Sequence, residues 1–117
     1  MVDGELHLSL VVLRVRDLEV SRSFYERVGL DLRSEQHGRG PAHLSAVVGG
    51  VVVELYPRRN GPGSDGARIG FVVPDLDAVV GRLDAAEHDE VRRDGERVVI
   101  AIDPDGHKVE LTELRPA

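Results

Sequence analysis

Leu13-Arg-Val-Arg-Asp-Leu-Glu19 and Phe71-Val-Val-Pro-Asp-Leu-Asp77 carry one pattern twice. In each, a strand-like apolar run ends at Val-x-Asp-Leu-acid and passes into helical spacing. Asp17 and Asp75 lie 58 positions apart. Toward the far end of each half stand Val53-Glu54-Leu55 and Val109-Glu110-Leu111, 56 positions apart. A nearly constant offset at both ends marks an internal duplication. Between the copies, Asn60-Gly-Pro-Gly-Ser-Asp-Gly66 has the composition of a flexible linker.

Each copy reads as strand, helix and three more strands. His7 to Val15 is rich in Val and Leu. Asp17 then offers a carboxylate to the free N–H groups of a first helical turn. Leu18, Phe24, Tyr25 and Val28 recur at helical spacing, with Ser21 as a lapse, and Gly29 supplies the stop. In the second copy Asp75 is the cap, Leu76, Val79, Val80 and Leu83 make the stripe, and Glu87-His88 ends it. Strands are expected at about 32–35, 43–48 and 50–56, then at about 91–93, 98–103 and 108–113. Gly49-Gly50 and Asp103-Pro-Asp-Gly106 are turn signals, because proline presets φ and glycine accepts positive φ. The expected fold is α+β. Two tandem βαβββ modules each form a curled mixed sheet with a helix on its convex side, and together they make an open, cup-like cavity. One domain spans residues 1–117, with module one at about 7–57, a linker at about 58–66 and module two at about 67–113.

Composition narrows the function classes. A chain of 117 residues can bury a self-sufficient aliphatic core. A net charge of −6 argues against nucleic-acid binding, and so do the sparse stacking aromatics Phe24, Tyr25, Tyr56 and Phe71. The absence of cysteine excludes disulfides, thiol nucleophiles and cysteine zinc sites. No apolar run approaches the roughly 18 residues of a membrane span, and the segment Met1–His7 lacks a secretory pattern. A cytoplasmic protein is expected. Lys108 is the sole lysine.

The run Arg14-Val-Arg-Asp-Leu-Glu-x-Ser-x-x-Phe-Tyr-x-x-x-Gly-Leu30 resembles the opening of the vicinal oxygen chelate superfamily, which holds glyoxalases, bleomycin-resistance proteins and extradiol dioxygenases. Asp103-Pro-Asp-Gly-His-Lys-Val-Glu-Leu111 resembles its closing hairpin, and Val53-Glu-Leu-Tyr-Pro57 fits between them. The resemblance covers about residues 8–113 and is specific for fold and weak for function, since the group includes enzymes and non-catalytic binders. It implies metal-ligand points on the first and last strand of each module, here Leu10, Glu54, Arg68 and Glu110. Leucine cannot ligate and arginine keeps its proton, so no metal is expected at the usual site. The resemblance also implies a homodimer whose cavities draw on modules of both chains.

Strand alternation extends the site. Val52, Glu54 and Tyr56 share one face. His43, Ser45 and Val47 join them, as do Leu10, Val12 and Arg14; in module two Arg68, Val72, Lys108, Glu110 and Thr112 correspond. His7, at odd spacing from Leu10, points away. The expected ligand-binding set is therefore Arg14, His43, Glu54, Tyr56, Arg68 and Glu110, with Lys108 beside it. Three uses suit this set. The charges can form a structural ion-pair network. The arginines can hold an anionic or carbonyl-bearing ligand while Glu54, Glu110 or His43 serves as catalytic acid or base. A divalent metal can also be held by Glu54, Glu110 and His43.

Glu35-Gln-His-Gly-Arg-Gly-Pro41 lacks the following helix of a phosphate loop and reads as a mobile loop over the cavity mouth. His37 and His43 stand there as proton-shuttle candidates, His37 alternatively as a solvated loop residue. Arg58-Arg59 and Arg92-Arg93 read as solvated turn charges. Two functions follow. One is a metal-independent binder of a small organic molecule, sequestering or processing it; the other is a glyoxalase- or dioxygenase-type enzyme with an altered site built on Glu54 and Glu110.

Overall fold

The computed structural model describes residues 4–64 and 66–116; Met1–Asp3, the linker's Asp65 and Ala117 lie outside them. The first copy gives β1 (Leu10–Val15), α1 (Leu18–Val28), β2 (Arg33–Glu35), β3 (His43–Val48) and β4 (Val51–Pro57). The second gives β5 (Arg68–Val73), α2 (Leu76–Val80), a 3-10 turn (Ala85–Glu87), β6 (His88–Arg93), β7 (Glu96–Ile102) and β8 (Lys108–Glu113). Two four-stranded mixed sheets result, ordered β1-β4-β3-β2 and β5-β8-β7-β6. The first and last strand of each copy pair in parallel, and the remaining neighbours are antiparallel.

Local chemistry sets these boundaries. Asp17 accepts hydrogen bonds from the N–H groups of Glu19 and Val20, and Gly29 closes α1 at φ 127°, where a side chain would be strained. β1 begins at Leu10 rather than His7. Its parallel partner β4 turns away at Gly49-Gly50 (φ 55° and 83°), and the Ser9 carbonyl accepts from the Val52 N–H. α2 stops at Val80, short of the expected run to His88. Gly81 costs about 1 kcal/mol of helix propensity relative to alanine, and Asp84 is extended, closing a capping box with Glu87. β6 is longer than expected and starts at His88. It is a polar edge strand with no apolar alternation to read. Its hairpin partner follows across Asp94-Gly95, both at positive φ, as a two-residue hairpin requires.

The helices lie against one face of each sheet, α1 on β3 and β4, α2 on β8. One continuous core joins the two halves through Leu13, Val15, Phe24, Tyr25, Leu44 and Leu55 with Phe71, Leu76, Val99 and Leu111. Ser21 is no lapse: it is buried and its hydroxyl donates to Asp105 Oδ2 at 3.4 Å. That bond belongs to a polar clamp between the copies. Asp103 Oδ2 receives the Tyr25 hydroxyl and the His107 Nδ1–H, both at 2.6 Å, while Oδ1 receives the backbone N–H groups of Asp105 and His107. His107 Nε2 then accepts the Ser64 hydroxyl at 2.8 Å. Burial first, and then the Asp103 charge, raise the Tyr25 pKa far above its ordinary value, so the phenol stays a donor. Arg27 adds a fork onto Glu87 at 2.7 and 3.1 Å. Because the helix-bearing faces share one core, the opposite face of each sheet is turned outward, where Val47 and Val72 are exposed.

Candidate functional site

The outward face of the first sheet collects the polar residues that alternation assigns to it. Its centre is His43, 1% exposed, on the first residue of β3. The imidazole stacks on the Tyr56 ring of β4 at 4.2 Å with planes 10° apart. The Arg14 guanidinium of β1 stands 5.8 Å from the Tyr56 centroid, within cation–π range. This is possible because Arg14 and Tyr56 are cross-strand partners in the β1–β4 ladder. Glu54, two residues before Tyr56, puts Oε2 3.3 Å from His43 Nε2.

Glu35 and His37 complete this cluster, beyond the reach of strand alternation. β2 ends at Glu35, directly across from His43 in the antiparallel register. The next residues fold back as a tight turn: Gly40 N–H bonds to His37 carbonyl at 2.9 Å, Gln36 bonds to Gly40 carbonyl at 2.9 Å, and Gly38 takes φ 56°. The expected mouth loop is thus a closed turn that returns the His37 ring to 5.1 Å from that of His43. Glu35 Oε1 lies 3.3 Å from His43 Nε2 and 3.6 Å from His37 Nε2. The legible signal was the spacing Glu35-x-His37-x5-His43 across a Gly-x-Gly turn.

The second sheet holds the other candidates apart from these. Glu110 accepts a two-pronged bond from Arg93, at 2.9 and 3.1 Å, and pairs with Arg68. The Arg93 bonds, and then Arg68, draw its pKa down to about 2. Arg93 is therefore not the solvated turn charge that the sequence suggests; it is the clamp on Glu110. Lys108 sits exposed beside Arg68 on the neighbouring strand. The structure brings together Arg14, His43, Glu54 and Tyr56, and places Arg68 and Glu110 on the other sheet. Of the expected ion-pair network, the Arg68–Glu110 half is present. Glu54 faces a histidine instead, and Arg14 lies over an aromatic ring.

The residues at the four family points do not fit a metal. Leu10 offers no donor, Arg68 is a cation, and both Glu110 oxygens are already held by guanidinium groups. Ser64, His107 and Asp103 have the connectivity of a nucleophile, a base and its orienter. The imidazole is completely buried, however, and the Ser64 oxygen also receives the Arg14 N–H at 2.7 Å, so the chain is a strut.

A family model described as the glyoxalase/bleomycin resistance protein/dioxygenase superfamily matches residues 7–111. The chain belongs to that superfamily. Solved structures of this superfamily fold resemble it along nearly their whole length. The oxidase ChaP-H2 is 22% identical, with a TM-score of 0.73 over 95% of this chain and 94% of that one. Lactoylglutathione lyase from Agrobacterium tumefaciens is 20% identical, with a TM-score of 0.70 over 94% and 95%. TnmS3, an antibiotic binding protein from Streptomyces sp. CB03234, is 26% identical, with a TM-score of 0.67 over 96% and 98%. No curated protein matches the chain. Among the described residues no helix is long and apolar enough to cross a membrane.

Proposed function

We propose that this superfamily member is a small-molecule binding protein of the glyoxalase/bleomycin-resistance type that works without the family's usual metal, sequestering or processing a small organic compound. The observation that carries this reading is the state of Glu110, a family ligand point whose carboxylate is held by Arg68 and Arg93. The stacked His43 and Tyr56 rings with Arg14 beside them suit a flat, anionic or carbonyl-bearing compound. The likeness to an antibiotic binding protein supports the same reading. Leu10, Val47, Val72 and Ile102 are exposed on the outward faces, which supports a homodimer in which sheet one of one copy covers sheet two of the other. Each binding site then combines Arg14, His43, Glu54 and Tyr56 from one copy with Arg68 and Glu110 from its partner.

A glyoxalase- or dioxygenase-type enzyme is the second reading. It is favoured by Glu54, which, unlike Glu110, has no arginine or lysine partner among the described residues. A thermal-shift screen against aromatic natural products, thiol–aldehyde adducts and small dicarbonyls tests the choice. A binder gives a raised melting temperature that is lost in Arg14→Ala and in Arg68→Ala, with every compound recovered unchanged. Catalytic product formation that disappears in Glu54→Gln overturns it in favour of the enzyme. Light scattering after size exclusion tests the dimer, and a monomer at micromolar concentration removes the shared cavity.

A further inference from the structure

Two buried side-chain nitrogens lack a hydrogen-bond partner among the described residues, Arg22 Nε and His43 Nε2. Arg22 is otherwise engaged: its terminal nitrogens bond to Leu32 carbonyl and Ser34 hydroxyl, and Nε lies 3.4 Å from a Glu19 carboxylate. His43 is different. Its Nδ1 lies 3.1 Å from the Pro41 carbonyl oxygen. A carbonyl only accepts, so Nδ1 carries a proton there, and Nε2 is the ring nitrogen left to meet another partner. Nε2 faces Glu35 Oε1 and Glu54 Oε2, each at 3.3 Å. Three potential ligand atoms therefore converge where the ring nitrogen is buried. The two carboxylates beside it have no arginine or lysine partner among the described residues. A cation belongs between them.

His37 supplies a fourth donor, and the four ligand atoms all lie within 4.8 Å of one another. In a tetrahedral site with ligand distances of about 2.0–2.1 Å, adjacent donors are about 3.3–3.4 Å apart. The observed separations of 3.3, 3.3 and 3.6 Å fit that figure. The Pro41 carbonyl on Nδ1 is the outer partner that fixes the tautomer of a metal-binding histidine, and the stacked Tyr56 fixes the plane of the ring.

We infer that Glu35, His37, His43 and Glu54 form a binding site for one divalent transition-metal ion of the zinc type. Two imidazoles select that class over magnesium or calcium, which take oxygen ligands. The site shares only Glu54 with the four family points and needs no residue of the second sheet. His37 and Glu35 are exposed, which leaves the ion an entry path from solvent. The inference is independent of the proposed organic ligand, because the metal is read without it.

The test uses chelator-stripped, untagged full-length protein titrated with Zn²⁺ by calorimetry and with Co²⁺ by visible absorption. One ion per chain and the strong visible bands of four-coordinate Co²⁺ are expected. Glu35→Gln and His37→Ala alter surface positions where folding is not at stake. Each should weaken Zn²⁺ binding by at least about tenfold, the lower end of what removing even an outer partner costs. Together they should abolish stoichiometric binding. His88→Ala, a half-buried histidine elsewhere, should change nothing, and neither should Glu110→Gln. No stoichiometric uptake, or uptake that survives the Glu35→Gln/His37→Ala double variant, overturns the site. Loss of the ion in Glu110→Gln also overturns it, by moving the metal to the family's points across the two halves.

Discussion

His43 and His107 are both buried, and each has its Nδ1 on an oxygen acceptor. Their second nitrogens diverge. His107 Nε2 meets the Ser64 hydroxyl, and its partner Asp103 is surrounded by four donors. His43 Nε2 meets two carboxylate oxygens and no donor. A buried polar network whose every atom is paired holds structure together. One left with converging acceptors is organised around something that is not part of the chain. The same divergence separates the duplicated glutamates: two arginines neutralise Glu110, while Glu54 faces an imidazole. Duplication gave both halves one backbone plan, and these side chains leave a carboxylate without an arginine partner in the first half and an arginine-paired one in the second.

The largest expected effect breaks the satisfied cluster. Asp103→Ala strands the Tyr25 hydroxyl, the His107 imidazole and two backbone N–H groups inside the interface between the copies. Urea unfolding should show a loss of about 3–5 kcal/mol, the cost of removing one partner from a buried charged network. A loss under about 1 kcal/mol would mean that the clamp is incidental and that the core alone fixes how the halves pack.

The duplicated helix caps sharpen the comparison at a smaller scale. Asp17 accepts from two N–H groups and starts an eleven-residue helix, whereas Asp75 accepts from one and starts five residues. Asp17→Ala should cost about 1 kcal/mol and Asp75→Ala about 0.5 kcal/mol, read from the same unfolding curves. Equal costs would show that helix length and bond number do not matter here.

What could be read in advance follows the same physical divide. The repeat of Val-x-Asp-Leu-acid and the turn glycines exposed the βαβββ plan because they are local chemistry. Alternation placed Arg14, His43, Glu54 and Tyr56 on one face because side chains in a strand have a period of two. It could not say that α1 would dock onto the Asp103–His107 turn, or how the sheet that carries Glu110 would pack, since that choice is made by contacts far apart in sequence. Polar β6 gave no alternation, so its length and the reach of Arg93 went unread. Gly81 and Asp84 cut α2 despite a continuing apolar stripe. Glu35 and His37 joined the site through a turn, where no periodicity applies.

Glu110 tests the charge-paired half by pH. Its folded pKa, drawn down to about 2 by Arg93 and then Arg68, lies below that of the unfolded chain. The stability it contributes is thus present above the ordinary carboxylate range and is lost as pH falls from about 5 toward 2. Both arginines are about half exposed, so screening limits the contribution to about 0.5–1 kcal/mol. Wild type and Glu110→Gln should differ near neutral pH and converge near pH 2, and high salt should shrink the gap. A gap that persists at pH 2 would assign the effect to packing.

The smallest effect carries the most information about the first half. In metal-free protein, Glu54→Gln removes one of two carboxylates that converge on His43 Nε2, and with it their mutual repulsion. Stability should stay level or rise by a few tenths of a kcal/mol, the opposite of the usual cost of altering a half-buried charge. With Zn²⁺ in excess the order should reverse, because an ion that binds only the folded wild type adds RT ln(1 + [L]/Kd) to its stability. A substitution that is neutral without the metal and costly with it separates a ligand from a structural residue. Unfolding curves for Glu54→Gln with and without Zn²⁺ read that sign change directly, and a fixed difference in both conditions would make Glu54 a structural residue rather than a metal ligand.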